Sequence, residues 1–313
     1  MKKPLIIITG PTASGKTGIA IKIANELKTE IISADSMQIY KGIETIAATP
    51  TKEEQNQVKH HLISFKNLNE EYSVSDFVND ASKIIDSISD KIPIICGGTG
   101  LYISSLINNI DFSENSSNAE IRKRLENELA ELGPEALHNR LKEMDPEAAE
   151  WIHPNNKVRV IRALEIIETT GKTFTRYRID AAKNEEKYDA LVFALNFRNR
   201  ETLYNRINKR VDAMLSNSME AEAREALLNN PSKTAMAAIG LKEFSDYFLG
   251  LSDYEDIVEK IKQGSRNYAK RQITWIKRIP SVNWVFYEDF NSEDEMLYYI
   301  TEKIKEHFNE EEK

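Results

Sequence analysis

Leu5-Ile6-Ile7-Ile8-Thr9-Gly10-Pro11-Thr12-Ala13-Ser14-Gly15-Lys16-Thr17 starts as a β-branched run and ends in a glycine turn followed by a lysine. The run reads as a buried parallel strand. After it, Ile19, Ile23 and Leu27 recur on one helical face. The turn fits G-x-x-x-x-G-K-[ST], and a strand before it and a helix after it are the context that makes this pattern an anion site. Backbone N–H groups wrap a phosphate there, and the helix dipole and Lys16 add positive charge. Gly10, Pro11, Thr12, Ala13, Ser14, Gly15, Lys16 and Thr17 are therefore the expected phosphate-binding residues. Thr17 offers its hydroxyl to Mg2+, the expected cofactor. A glycine turn that binds nothing is the bland alternative, and the flanking strand and helix argue against it. The loop alone leaves the phosphate compound open.

Bulk properties bound the rest. The chain has 313 residues, 41% hydrophobic and 29% charged, an ordinary globular balance. No apolar run approaches the roughly 20 residues of a membrane span, so no membrane partner is expected. Two N-terminal lysines precede the short run 5–8, but that run enters the phosphate loop and reads as strand rather than signal peptide. The single Cys96 excludes an internal disulfide and suits a reducing, cytoplasmic compartment. The five histidines show no metal-ligand spacing, and His60-His61 reads as polar packing. A net charge of −8 argues weakly against nucleic acid. Local charge says otherwise, because Arg266, Lys270, Arg271, Lys277 and Arg278 fall in a stretch with no acid, and 157–162 is also basic. Residues 310–312 read as an acidic, frayed tail.

Further strands are expected at 30–34, 92–96, 190–195 and 284–287, and helices at 73–89, from 101, and at 201–215, 220–228 and 263–279, with a terminal helix after Ser292. Ser73 and Asp76 are spaced as a capping box. Between 111 and 118 the chain turns polar and reads as a hinge. Helices at 120–132, 135–144 and 157–170 then follow with no strand between them. This pattern predicts an α/β fold, with a P-loop NTPase-like parallel sheet core flanked by helices and an all-helical insertion domain. The expected domains are 1–112, 113–183 and 184–313. Functional groups in such folds gather at the carboxyl ends of strands, so the loop, Asp35 and Thr99 should share one crevice.

A motor or switch NTPase would close a strand with an acid that holds Mg2+. The strand at 92–96 runs instead into Gly97-Gly98-Thr99. The acid that does close a strand is Asp35. It could be a general base toward a nucleophile attacking the phosphoryl compound, or simply a turn residue.

Ser33-Ala34-Asp35-Ser36-Met37-Gln38-Ile39-Tyr40-Lys41-Gly42 resembles the signature after the second strand of tRNA dimethylallyltransferases, the tRNA isopentenyltransferases. Further blocks fit in order: Tyr72-Ser73-Val74-Ser75-Asp76-Phe77, Gly97-Gly98-Thr99-Gly100-Leu101-Tyr102, and His153-Pro154-Asn155-Asn156 with Arg159-Val160-Ile161-Arg162-Ala163-Leu164-Glu165. Arg206-Ile207 with Arg210-Val211-Asp212, and Arg266-Asn267-Tyr268-Ala269-Lys270-Arg271-Gln272 with Trp275, complete the set. The resemblance implies transfer of a dimethylallyl group from dimethylallyl diphosphate to N6 of the adenosine 3′ of the anticodon. That adenosine is position 37 of tRNAs reading codons that start with U, and the partner is the anticodon stem-loop.

The roles carry over by position. Asp35 matches the base that takes the amine proton. Lys16, Thr17 and Arg210 match residues that hold the diphosphate, although Arg210 alone could be a solvated arginine beside Arg206 and Lys209. Thr99 matches a contact to tRNA or to the diphosphate, and otherwise a helix N-cap. Asp35, Ser36, Met37, Gln38, Thr99, Arg122, Val158, Arg159, Val160, Ile161 and Arg162 match positions that touch tRNA. The target base should be flipped out. The insertion is expected to clamp the stem-loop, with the protein a monomer.

Some positions depart from the pattern. The family usually has Asp-Ile-Gly-Thr-Ala-Lys-Pro where this chain has Glu44-Thr45-Ile46-Ala47-Ala48-Thr49-Pro50. Ile46 in place of glycine should alter the backbone, because β-branched residues avoid positive φ. Ala237 and Leu241, Asn156 and Ser218 also differ. Three other readings stay in view: a P-loop small-molecule or nucleotide kinase, a tRNA-binding paralogue with weakened catalysis, and a prenyltransferase for free nucleotides.

Overall fold

The computed structural model describes residues 2–109, 118–181 and 186–309. Strands β1 (Lys3–Thr9), β2 (Ile31–Ser33), β3 (His60–His61), β4 (Ile94–Gly97), β5 (Tyr188–Asn196) and β6 (Asn283–Phe286) form one six-stranded sheet in the order β3-β2-β4-β1-β5-β6. Every neighbouring pair is parallel. β1 sits between β4 and β5, with Ile7 paired to Ile95 on one side and Val192 on the other. Leu5, Ile6, Ile7 and Ile8 are all fully buried, as a strand covered on both faces requires.

The first half of this unit also holds helices α1 (Lys16–Glu26), α2 (Glu44–Ala47), α3 (Lys52–Gln57), α4 (Val74–Ser87) and α5 (Gly100–Ile107). A second compact unit, Asn108–Lys187, contains α6 (Ala119–Leu132), α7 (Pro134–Met144), α8 (Pro146–Trp151), α9 (Lys157–Thr170) and α10 (Phe174–Ala181). The chain then returns to the first unit with α11 (Arg200–Asn217), α12 (Met219–Leu228), α13 (Leu241–Phe248), α14 (Tyr254–Ile276) and α15 (Glu293–Asn309). The expected hinge at 111–118, except Asn118, which caps α6, lies outside the described residues, as do the acidic tail and both expected domain borders, 112/113 and 183/184. Among the described residues no helix is long and apolar enough to cross a membrane.

Ile6, Ile8, Ile94, Cys96, Phe193 and Leu195 meet Ile19 and Ile23 of α1 and Met296, Ile300 and Ile304 of α15 in one core cluster. On α4, the Ser73 capping box forms as its spacing predicts, with the Asp76 N–H donating to Ser73 Oγ at 3.2 Å and the Ser73 N–H to Asp76 Oδ2 at 2.8 Å. The second unit has its own core of Leu125, Leu137, Leu141, Val160 and Leu164. Buried Asp145 organises it: Oδ1 caps α8 at Ala148 N, 3.0 Å, and Oδ2 accepts from Thr175 N at 2.8 Å.

Several elements differ from expectation. α14 begins at Tyr254, nine residues before the expected 263, because Ile257 and Ile261 are buried a turn apart among the acids that mask them. The sequence reading does not contain the short elements α2, α3, β3, α8, α10 and α13; α8 carries the Asp-Pro start signal, but six residues show little periodicity. Ile46 adopts no left-handed φ. The loop takes its turn at Ala48 instead, with φ 48°, and Ile46 packs inward.

At the end of β4 the backbones crowd. A Cβ on Gly97 would overlap the Ala34 carbonyl, whereas one on Gly18 would meet nothing within 4 Å. Gly97→Ala should therefore cost about 1–3 kcal/mol in urea unfolding. Gly18→Ala, inside α1, should be neutral or stabilising by up to about 1 kcal/mol. Equal effects would refute the crowding argument.

Candidate active site

Three loops leave adjacent strand ends, and each brings one part of a site. Gly15 opens α1 in the left-handed conformation, φ 85°, which lets the loop 10–15 fold over the helix N-terminus. Past β2, Asp35 lies in a turn whose Met37 N–H donates to Asp35 Oδ1 at 2.9 Å. Asp35 Oδ2 makes no hydrogen bond to the described residues. Past β4, the Thr99 backbone bonds Ala34 O at 3.1 Å, and Thr99 Oγ1 accepts from Ser36 N at 3.0 Å. Thr99 therefore positions the turn carrying Asp35. Its carbonyl also accepts from Tyr102 N at 2.9 Å at the start of α5, and Thr99 itself is not among the residues lining the cavity, because its hydroxyl is turned to Ser36.

Together these loops enclose a cavity of about 330 Å³ in the sheet unit. Thr12, Lys16, Thr17, Asp35 and Arg210 line its polar part, with Ser36, Met37 and Gln38 beside them. Lys16, Thr17 and Arg210 also border a second hollow of about 440 Å³ on the outer side of the loop, where Arg206 joins them. Arg210 donates to Thr12 Oγ1 at 3.3 Å, and Arg206 Nε to Ala13 O at 3.0 Å, so α11 is tied to the loop at two points one turn apart. Gln38 braces the opposite wall: it accepts from Ser33 Oγ at 2.9 Å and donates to Ala48 O at 3.0 Å.

Among the described residues neither Lys16 nor Arg210 forms an ion pair with a carboxylate; the Lys16 ammonium donates to Pro11 O at 3.2 Å. Burial holds the Lys16 ammonium below the ordinary lysine range, and the charge of Arg210 acts in the same sense, against Cys96 and Asp35. Burial lowers Arg210 as well, against the pull of Asp35. Two desolvated cations on one wall make an anion site. Cys96, pushed up to about 12 chiefly by burial, is a neutral part of the wall.

Helix α14 supplies Tyr268, Arg271 and Gln272, which the sequence reading places in its basic block without individual roles, and Ile261 and Ser265, which precede that block. All five reach the cavity. Their spacing of four, three and four along 261, 265, 268 and 272 was the available signal for one inward face. Gln272 is buried; its Oε1 accepts from Thr12 N at 2.7 Å and its Nε2 donates to Gly98 O at 3.1 Å. His60 lines the cavity too, with Nδ1 against Val58 O at 2.8 Å, where the sequence suggested only polar packing.

The insertion, described by itself, holds the other expected contacts. Val158 and Arg159 are exposed on α9, while the Val160 and Ile161 side chains belong to the core. Arg162 pairs with buried Glu165 at 3.0 Å, and Arg122 with Glu126 at 3.6 Å. Among the described residues no group of three or more His, Cys, Asp or Glu could cage a metal. A Thr17 hydroxyl beside a diphosphate still suits Mg2+, which keeps waters and takes phosphate oxygens.

Residues 38–279 match the family model for IPP transferase. The chain is 45% identical to a tRNA dimethylallyltransferase of Clostridioides difficile (strain 630), over 97% of this chain and all of that one. It is 44% identical to that of Acetivibrio thermocellus, over 95% and 97%. Among solved structures, the full-length tRNA isopentenylpyrophosphate transferase of Bacillus halodurans aligns over all of both chains, with 36% identity and a TM-score of 0.73. A eukaryotic dimethylallyltransferase captured acting on tRNA aligns with a TM-score of 0.80 and 29% identity, over 97% of this chain and 80% of that one.

Gln272→Glu keeps an acceptor for Thr12 but loses the donor to Gly98 and adds negative charge at the loop. Calorimetric titration with magnesium diphosphate should show affinity weakened about tenfold or more, near 1.4 kcal/mol. A change under twofold would remove Gln272 from the anion site.

Proposed function

Because this chain belongs to the IPP transferase family, a family of prenyl-transferring enzymes, we propose that it moves a dimethylallyl group from dimethylallyl diphosphate to tRNA. The acceptor is N6 of the adenosine 3′ of the anticodon, position 37, in tRNAs that read codons starting with U. One observation carries the reading: a single cavity joins the phosphate loop and two cations to Asp35, and continues into an apolar wall of Ile46, Val211, Met214 and Ile261. A nucleotide kinase would give that wall no task.

The loop amides, Lys16 and Arg210 hold the diphosphate and stabilise the charge it gains on leaving. Thr17 is the residue that would offer its hydroxyl to Mg2+, and the ion would supply further positive charge against the leaving group. The allyl chain lies along the apolar wall. An anticodon-loop base is unpaired and extrudes at low cost, so its N6 can enter the cavity. As the N6–C1 bond forms, the C1–O bond breaks and its electron pair leaves with diphosphate. Asp35 Oδ2 takes the N6 proton, while Oδ1 stays fixed by Met37 N–H. Arg271 of α14 and exposed Arg159 of α9 supply cations for RNA phosphates. The enzyme acts in the cytoplasm as a monomer.

The test incubates the full chain with dimethylallyl diphosphate, Mg2+ and an anticodon stem-loop RNA, and reads the RNA mass. A gain of one dimethylallyl group at that adenosine is expected. Phosphotransfer from ATP without prenylation would overturn the proposal. Asp35→Asn should lower kcat by about 10²–10⁴ while RNA affinity stays within threefold, roughly the range for a general base. Lost RNA binding with unchanged single-turnover chemistry would exclude that role.

A further inference from the structure

The apolar part of the cavity is lined from α11 to the start of α12. Past Arg210, α11 turns Val211 and then Met214 to the cavity, and Met219 opens α12 beyond the break at Ser218. Met219 is fully buried and lines the cavity. Its methyl is pressed against Gly240, where an added Cβ would stand 2.5 Å from Met219 Cε and 4.0 Å from Ile46 Cγ2. Gly240 has φ 117°, a conformation that disfavours any side chain, and the residues just before it, Ala237, Ala238 and Ile239, line the cavity together with Met219. Thr45 and Ile46 are pinned to α12 by Glu222, which accepts from Thr45 N at 2.9 Å and Ile46 N at 3.1 Å. The wall therefore cannot recede by moving α2 alone.

The dimensions select a short chain. Arg210 and Met214 are four residues apart on α11, about 6 Å along the axis. An allyl chain of five carbons extends roughly 5 Å beyond its oxygen, from bonds of about 1.5 Å. It therefore ends beside Met214, and another isoprene unit would run into the thioether at the start of α12. We propose that Met219 is the stop that limits the transferred chain to five carbons. The proposal rests on the prenyl-diphosphate reading of the cavity. Met219 touches neither the diphosphate nor the base in this arrangement, so its effect is on chain length rather than on chemistry.

The experiment offers the full chain an anticodon stem-loop RNA with dimethylallyl or geranyl diphosphate and reads the RNA mass. Wild type should transfer five carbons and little of the ten-carbon chain. Met219→Ala removes Cγ, Sδ and Cε, and should raise the ratio of ten- to five-carbon kcat/KM about tenfold or more, the discrimination roughly expected of a filled apolar pocket. Met219→Leu keeps the bulk and should leave the ratio within about twofold. Five-carbon transfer by each variant reports its folding. If Met219→Ala fails that control, Met219→Val carries the comparison with a smaller rise. An unchanged ratio in a variant active on five carbons overturns the proposal and leaves the prenyl reading intact, as does a wild type equally active on both chains. Wild type inactive on both would overturn the two together.

Discussion

The Gln272 carboxamide accepts the Thr12 N–H and donates to the Gly98 carbonyl, so one side chain sets the separation of the loops after β1 and β4. A buried amide held at both ends in a low-dielectric site resists displacement, because losing either partner strands a polar group. The rest of the cavity is registered on it. Gly98 leads to Thr99, Thr99 to Ser36, and Ser36 adjoins Asp35. The position of the carboxylate relative to Lys16 thus depends on a helix that begins almost 220 residues later in the chain, at Tyr254.

In the cavity two buried cations, Lys16 and Arg210, face the single carboxylate of Asp35. Lys16 and Arg210 are held against backbone and hydroxyl oxygens that a phosphate can replace. Their depressed pKa values express the same imbalance, since burial disfavours each cation until an anion arrives. Preorganised cations of this kind favour a state in which negative charge is growing, as it does on a departing diphosphate. Asp35 is the negative counterweight in the same space, and both cations feel its field.

The sequence made the phosphate loop, Asp35 and the alternation of strands with helices legible, because each depends on residues close together in the chain. The burial of Leu5 to Ile8 and the α4 capping box are local in the same way. Gln272 and Tyr268 were not legible as site residues, because their role depends on which face of α14 meets the loops, and the basic residues between them suggest a solvated helix. Thr99 was read as a contact to ligand or as a helix start; its hydroxyl holds Ser36, a pairing of residues 63 apart. The left-handed turn at Ala48, where Ile46 had been expected to disturb the backbone, followed from tertiary anchoring to Glu222.

The helical unit interrupts the sheet at an awkward moment in synthesis. β1 pairs along its whole length with β5, from Lys3 with Tyr188 to Thr9 with Ala194, yet the ribosome makes Asn108–Lys187 between them. At the usual 5–20 residues per second, the insertion alone lengthens the wait of that β1 edge for its partner by roughly 4–16 s. Throughout that interval an isoleucine-rich strand presents open hydrogen-bonding groups, the feature that templates aggregation. The insertion has its own core and can fold during the pause. Nascent chains stalled just before Tyr188 should accordingly be the most chaperone-dependent species in this protein's life.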